Sequence, residues 1–206
     1  MIAEIMAVGP LQVNATLIGC EETKIAMITD PGGDVNDILA RLSHHGLKLE
    51  IIALTHAHAD HVGGIAALKE QTQARIYMHL ADQEIYDAAP AIGRMFGFSV
   101  NQLPVVDHYV KEGDVFSVGH IAVKVIETPG HTPGGVTFHL QAHHGKDILI
   151  AGDTLFLGSV GRTDLPGGNF NDLMSSIKNK IFQYPDETVV ITGHGPMTSV
   201  GREKAT

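Results

Sequence analysis

Cysteine is almost absent from this 206-residue chain: Cys20 stands alone, so no intramolecular disulfide can form. That suits a reducing compartment and points to a cytoplasmic protein. As a nucleophile Cys20 is a poor candidate, because it ends the apolar run Leu17-Ile18-Gly19-Cys20 and reads as a small core residue. The opening Met1-Ile2-Ala3-Glu4-Ile5 does not read as a secretory leader, since it places an acid where a basic region would precede a long apolar stretch. No window approaches the apolar length that crosses a bilayer. Positive charge is scarce, and a formal net charge of -9 argues against non-specific binding to nucleic acid or anionic membrane. There is no internal repeat, low-complexity tract or long charge run. Neither G-x-G-x-x-G after a strand nor a Walker loop occurs, which removes support for nucleotide chemistry. Nothing in the sequence specifies an oligomeric state.

What is present suits one domain over residues 1–206, long enough to bury roughly 70% of the unfolded chain's surface. Apolar residues make up an ordinary 44%, while 23 glycines signal many tight turns and function carried on loops. Hydrophobic patterning predicts strands over 2–8, 12–20 and 24–29, a helix over 35–45 capped by Asp34 and closed by Gly46, and a strand over 49–54. A helix over 62–71, a strand over 75–79 and a short helix over 81–89 follow. Beyond Val105 come strands 107–111, 114–117, 120–127, 135–140 and 147–151, then a helix over 171–182 and a strand over 187–191. His44 and His45 read as surface residues at a helix end, and His143 and His144 as solvated turn residues. Helix and strand do not alternate regularly, which favours two packed sheets with helices outside over a Rossmann sheet.

The densest chemistry lies in Thr55-His56-Ala57-His58-Ala59-Asp60-His61, directly after an apolar strand. Side chains two apart on an extended chain point to one side, so His56 and His58 can grip one ion together. Asp60 and His61 fall where the chain turns into a helix and can swing toward a second position. One short loop thus offers ligands to two neighbouring metals, and imidazole favours zinc or iron. Three more ligand-type residues end apolar runs within glycine-rich punctuation: His131 in Thr128-Pro129-Gly130-His131-Thr132-Pro133-Gly134, Asp153 in Ala151-Gly152-Asp153-Thr154, and His194 in Thr192-Gly193-His194-Gly195-Pro196. Strand-end loops that carry such residues can share one rim of a rigid scaffold.

These motifs resemble the metallo-β-lactamase superfamily across nearly the whole chain. Thr-His-x-His-x-Asp-His, Pro-Gly-His-Thr-Pro-Gly, Gly-Asp-Thr-Leu-Phe and Gly-His-Gly-Pro occur in that family's order. The stretch Phe156-Leu157-Gly158-Ser159-Val160-Gly161-Arg162-Thr163-Asp164-Leu165-Pro166 is similar to the short bacterial type II glyoxalases (hydroxyacylglutathione hydrolase-like) and, less closely, to persulfide dioxygenases. Metal-binding β-lactamases proper look less similar. The resemblance implies an α/β (α+β) fold, the αββα sandwich of two mixed sheets flanked by helices. It also implies two divalent metal ions (zinc, with iron or manganese as alternatives), one held by His56, His58 and His131, the other by Asp60, His61 and His194, with Asp153 bridging.

Charge arithmetic favours a bridging acid. Two divalent ions about 3.5 Å apart repel by roughly 19 kcal/mol at an effective dielectric near 20. Neutral imidazoles cannot offset that, whereas Asp60, Asp153 and a bridging hydroxide bring the cluster to net +1, suited to an anionic substrate. The expected reaction is hydrolysis of a thioester such as S-lactoylglutathione, since metals make hydroxide available near neutral pH and polarise the carbonyl. Asp60 is the candidate to orient the hydroxide, and Asp30 and Thr154 are candidates to brace the imidazoles. Arg162 either pairs with a substrate carboxylate or merely salt-bridges Asp164. Tyr86 and Met95-Phe96-Gly97-Phe98 read more readily as core than as pocket. Longer type II glyoxalases carry a helical extension that holds glutathione, and its absence leaves the natural thiol open. The alternatives are hydrolysis of a lactone or another thioester and, in another class of reaction, a persulfide dioxygenase with one iron at His56, His58 and Asp153 or His131. A metal-free binding module predicts eroded ligands, and none of the seven is missing.

Overall fold

The computed structural model describes residues 1–141 and 146–206, so the expectation for His143 and His144 falls outside the described residues. The chain opens with β1 (Ile2–Val8), β2 (Val13–Gly19) and β3 (Ile25–Thr29), then α1 (Val35–His45) and β4 (Lys48–Ala53). Next come α2 (Ala59–Val62), α3 (Ile65–Thr72), β5 (Arg75–His79), α4 (Gln83–Met95) and β6 (His108–Val110). The second half runs β7 (Val115–Val118), β8 (Ile121–Glu127), β9 (Val136–Gln141), β10 (Asp147–Gly152), β11 (Leu155–Phe156) and β12 (Ser159–Val160). It continues through α5 (Phe170–Asn179), β13 (Val189–Thr192), β14 (Thr198–Ser199) and α6 (Val200–Lys204).

Strands β1 to β6 form one mixed sheet in sequence order, antiparallel across its first three strands and parallel across the last three pairings. The second sheet has the order β14-β13-β10-β9-β8-β7, with β10 and β13 parallel and the other pairs antiparallel. Period-two patterning explains how they stack. In β2, Leu17 faces the helices and Ile18 faces the opposite sheet; in β3, Ile28 and Met27 divide the same way. Between the sheets, Ile18, Met27 and Ile51 meet Val125, Phe138 and Ile150 in a dry layer. Helices α1, α3 and α4 cover the outer face of the first sheet through Ile38, Leu68 and Ala89. Helices α5 and α6 cover the second through Leu173, Ile177 and Val200. This is the αββα sandwich, a mixed α/β fold with two mixed sheets flanked by helices. No helix among the described residues is long and apolar enough to cross a membrane.

Departures from the sequence reading have local causes. The helix expected over 62–71 is two helices, α2 and α3, broken at Gly63-Gly64 and begun early enough to include Asp60 and His61. The break lets the loop after β3 press in: a Cβ on Gly32 would sit 1.9 Å from the Asp60 carbonyl oxygen, and one on Gly63 would sit 2.4 Å from the Gly32 carbonyl oxygen. Asp34 precedes α1 but does not cap it; its φ is 47° and its carboxylate accepts from the Gly9 amide at 2.9 Å. Gly46 closes α1 as expected, with φ 61° and its N–H donating back to Ser43 and Leu42 carbonyls. Helix α4 outruns the expected 81–89, passing through Pro90 because Tyr86, Ala89 and Gly93 are all buried along one face. The short β11–β12 hairpin, β14 and α6 were not anticipated. Cys20 is buried in the layer between the sheets, as expected.

The packing at Gly32 makes a prediction. Gly32→Ala should lower stability by about 2–3 kcal/mol, or about 5–10 °C in Tm. Gly46→Ala, which meets open space and bears only the left-handed φ, should cost about 1–2 kcal/mol. Thermal unfolding of both variants checks this; equal losses would count against a steric role for Gly32.

Candidate metal centre

All seven predicted donors meet at one edge of the sandwich. His56 and His58 lie in the loop after β4, while Asp60 and His61 form the first turn of α2. His131, Asp153 and His194 follow β8, β10 and β13, three strands that run in the same direction in the second sheet. Two groups of three result, His56 with His58 and His131, and Asp60 with His61 and His194, each with its donor atoms within 4.8 Å of one another. Ring centroids of the first group are 4.6–4.9 Å apart. Asp153 lies between the groups. Its Oδ2 is 3.5 Å from His131 Nε2 and 3.7 Å from His194 Nε2, and its Oδ1 is 3.6 Å from His61 Nε2. Asp60 Oδ2 is 3.3 Å from His194 Nε2 and 3.6 Å from His61 Nε2.

Hydrogen bonding on the far side of three of the rings fixes their orientation. The Arg162 carbonyl accepts from His131 Nδ1 at 2.7 Å, and the Leu11 carbonyl accepts from His194 Nδ1 at 3.0 Å. Thr55 Oγ1 donates its one hydrogen to Asp30 Oδ2 at 2.6 Å, so toward His56 Nδ1, 3.1 Å away, it acts as acceptor. Asp30 Oδ2 also stands 3.3 Å from His61 Nδ1. His56, His131 and His194 thus engage Nδ1 on the far side and turn Nε2 toward the cluster. Buried His56 Nε2, His61 Nε2, His131 Nε2 and Asp153 Oδ1 have no hydrogen-bond partner in the protein. Converging, desolvated and unsatisfied nitrogen and carboxylate donors fit divalent cations, which would repay the cost of burying them.

Electrostatics divides the two groups. Burial, reinforced by the neighbouring imidazoles, holds His56 well below the ordinary histidine value and His58 down to about 3, so both are neutral at pH 7. For His61, burial is outweighed by the Asp153, Asp30 and Asp60 carboxylates, which lift it to about 9. His194 is also raised, because its contacts with Asp60 and Asp153 overcome burial. Asp60 is held below the usual carboxylate range: burial works upward, but the His194 hydrogen bond and His61 prevail.

Of the two bracing residues expected, Asp30 does brace, accepting the Thr55 amide at 2.8 Å besides the hydroxyl. Thr154 does not; its hydroxyl donates to Thr128 Oγ1 at 3.1 Å and touches no imidazole. Arg162 pairs with Asp164 through two bonds, at 2.7 and 2.8 Å, and also lines the cavity in front of the donors. Its backbone carbonyl orients His131, a role invisible to side-chain reasoning. Two residues were missed. Buried Asp82 accepts from the Ala57 amide at 3.0 Å, Thr132 Oγ1 at 2.9 Å and the Gly134 amide at 2.6 Å, tying the His56–His58 loop to the His131 loop. Asn14 ties β2 to the His194 loop: its amide donates to the Gly193 carbonyl, and its side chain donates to the Thr192 and Gly195 carbonyls at 2.9 and 2.8 Å. Tyr86 is core, as expected. Phe96, expected as core, is exposed and lines the cavity with Ile92, whereas Phe98 packs against the core as expected and lines the cavity as well.

Comparison with known proteins agrees with this geometry. The model of the metallo-beta-lactamase superfamily matches residues 8–194. A protein of Haemophilus influenzae named hydroxyacylglutathione hydrolase GloC is 35% identical over 99% of this chain and 95% of its own length. Among solved structures, BLEG-1, described as a B3 metallo-beta-lactamase, is 35% identical with a TM-score of 0.90 and covers 100% of this chain and 97% of its own. Lactamase-named proteins thus stand closer than the motifs indicated. TTHA1623 in a di-iron-bound form is 37% identical, TM-score 0.87, covering 98% of both chains. ETHE1 from Myxococcus xanthus is 31% identical, TM-score 0.81, covering 99% of this chain and 82% of its own.

Two predictions follow from the bracing and the charges. Thr55→Val should weaken divalent-metal affinity by about 10–100-fold while the protein stays folded; unchanged affinity in a competition titration would remove the Asp30–Thr55–His56 relay from the site. A cation must expel the proton held on His61, so zinc uptake below about pH 9 should release protons, and apparent affinity should rise with pH up to that value. The same raised pKa stabilises the metal-free fold fully below about pH 6.5 and ceases to do so as pH rises through about 9. Calorimetry in buffers of different ionisation enthalpy reads the proton count, and a buffer-independent heat would contradict it.

Proposed function

Because this chain belongs to the metallo-beta-lactamase superfamily, we propose that it is a metal-dependent hydrolase that cleaves a carboxylic thioester, with hydroxyacylglutathiones as the representative class. We assign His56, His58 and His131 to one divalent cation, Asp60, His61 and His194 to a second, and Asp153 to both. The observation that carries the thioester reading is the composition of the cavity wall. Besides five of the donors, His58, Asp60, His131, Asp153 and His194, that cavity of about 210 Å³ is lined among the described residues by Leu11, Ala59, Ile92, Phe96, Phe98, Arg162 and Leu165. Arg162 is held more firmly protonated by Asp164, so among the described residues no side chain outside the donor set that lines the cavity is placed to protonate a leaving group. An amine leaving group needs that proton; a thiolate, with a conjugate acid near pH 8.5, does not.

Bound divalent cations supply Lewis acidity toward the carbonyl and bring the pKa of water toward neutrality. The protein's own contribution is placement. Ionised Asp60, on the rim of α2, accepts a hydrogen bond from the attacking water and sets its direction. The relay through Thr55 and Asp30 keeps His56 in the tautomer that presents Nε2, and the Arg162 and Leu11 carbonyls do the same for His131 and His194. The water oxygen bonds to the carbonyl carbon as its two protons pass to solvent, the carbon–sulfur bond breaks with its electron pair leaving on sulfur as thiolate, and the thiolate takes one proton back from solvent, so the products are a carboxylate, a thiol and one proton.

A second reading, β-lactam hydrolysis, is supported by the similarity to BLEG-1, and the two differ in leaving group alone. Protein loaded with about two metals per chain should hydrolyse S-lactoylglutathione and leave a chromogenic cephalosporin untouched. Asp153→Ala should lose the two-metal state and at least about 100-fold in kcat/KM. Faster cephalosporin cleavage would transfer the assignment to β-lactams, and a single iron per chain with oxygen uptake on a persulfide would transfer it to an oxygenase.

A further inference from the structure

The cavity wall opposite the donors is apolar and open to solvent, which is unusual for side chains of this size. Phe96 is 62% exposed, Leu11 51% and Ile92 37%, and they converge with half-buried Phe98 and Leu165 on one mouth. Exposed large apolar groups that gather at a concave site mark a surface kept bare for a ligand. They come from three separate places, the turn after β1, the end of α4 with its following loop, and the loop after β12, so the cluster is not the stripe of one amphipathic helix.

Charge at the same mouth points the same way. Arg162 is the one lysine or arginine lining the cavity among the described residues, and the Asp164 carboxylate takes the Nε–Nη2 edge of its guanidinium in a two-bond pairing. A substrate carboxylate would find only Nη1 and the second Nη2 hydrogen left, beside the Asp164 carboxylate and in a protein of net charge -9. An uncharged apolar substituent meets no such competitor.

Resting on the thioester reading, we infer that the wall formed by Leu11, Ile92, Phe96, Phe98 and Leu165 selects thioesters that carry an uncharged apolar substituent next to the reacting carbonyl or sulfur. Hydroxyacylglutathiones remain substrates, and members that add an apolar substituent are turned over more efficiently. Apolar chemistry can enter from the acyl side or from the thiol side, and two substrate series separate them.

In the first series glutathione is constant and the acyl group runs from lactoyl and acetyl to butyryl and hexanoyl. In the second the acetyl group is constant and the thiol runs from glutathione to N-acetylcysteamine to benzyl mercaptan. The metal-loaded protein should gain up to about four-fold in kcat/KM per buried methylene along whichever series the wall reads. Phe96→Ser, at an exposed position, should fold with normal Tm and metal content yet flatten that slope. Binding supplies a readout independent of turnover: S-hexylglutathione should bind more tightly than S-methylglutathione, and Phe96→Ser should narrow the gap. Hydrolysis that is flat across both series, or a slope that survives Phe96→Ser, overturns this inference and leaves the thioester reading standing. No hydrolysis of any member by two-metal protein sinks that reading itself.

Discussion

Two buried carboxylates set the geometry on which everything else rests. Asp30 receives the amide and the hydroxyl of Thr55, and Asp82 receives the Ala57 amide together with donors from the loop that carries His131. Both are fully or almost fully inaccessible to water. A carboxyl group so placed is tolerable only when several donors converge on it, and a loop that supplies those donors loses its freedom in return. The residues on either side of the bonded amides are His56 and His58. Burial raises the Asp82 carboxyl above its ordinary value despite the three donors, which shows how much desolvation is being opposed. Asp30 adopts φ 47° to reach its position, a backbone conformation that aspartate visits more readily than most residues.

Around this anchor the donors divide into a neutral half and a proton-holding half. His56 and His58, deep among other imidazoles, have no charge to give up. His61 sits among three carboxylates and takes a cation of whatever kind is present, a proton included. The same seven residues are thus two environments with unlike demands, set by whether carboxylate or imidazole neighbours predominate.

The sequence made much of this legible. H-x-H-x-D-H after a strand is a local pattern, and its spacing reports side-chain direction without knowledge of the rest of the chain. The remaining donors were findable because each ends an apolar run amid glycines, and the two-sheet architecture followed from the irregular order of helices and strands. What escaped was long-range. Asp82 is one acid among many until the loops from residues 57 and 134 close on it. Asn14 looks like a polar residue in an ordinary strand. Gly63-Gly64 reads as a weak spot in one helix, not as a gap left for the loop after β3. Met95-Phe96-Gly97-Phe98 shows apolarity, and apolarity alone does not say whether it faces the interior or a cavity mouth. The two-residue strands β11, β12 and β14 are too short to leave any periodic signal.

Asn14 has one more implication. It grips the Thr192 carbonyl across 178 positions of sequence, and neighbouring Val13 makes a bridge with His194 itself. A tether of that span is entropically costly to close and forms late relative to local hairpins and helices. A half-made molecule emerging from the ribosome would hold two donors of each group, His56 with His58 and Asp60 with His61, and lack His131, Asp153 and His194. Competence to trap cations at both groups is therefore a marker of finished folding.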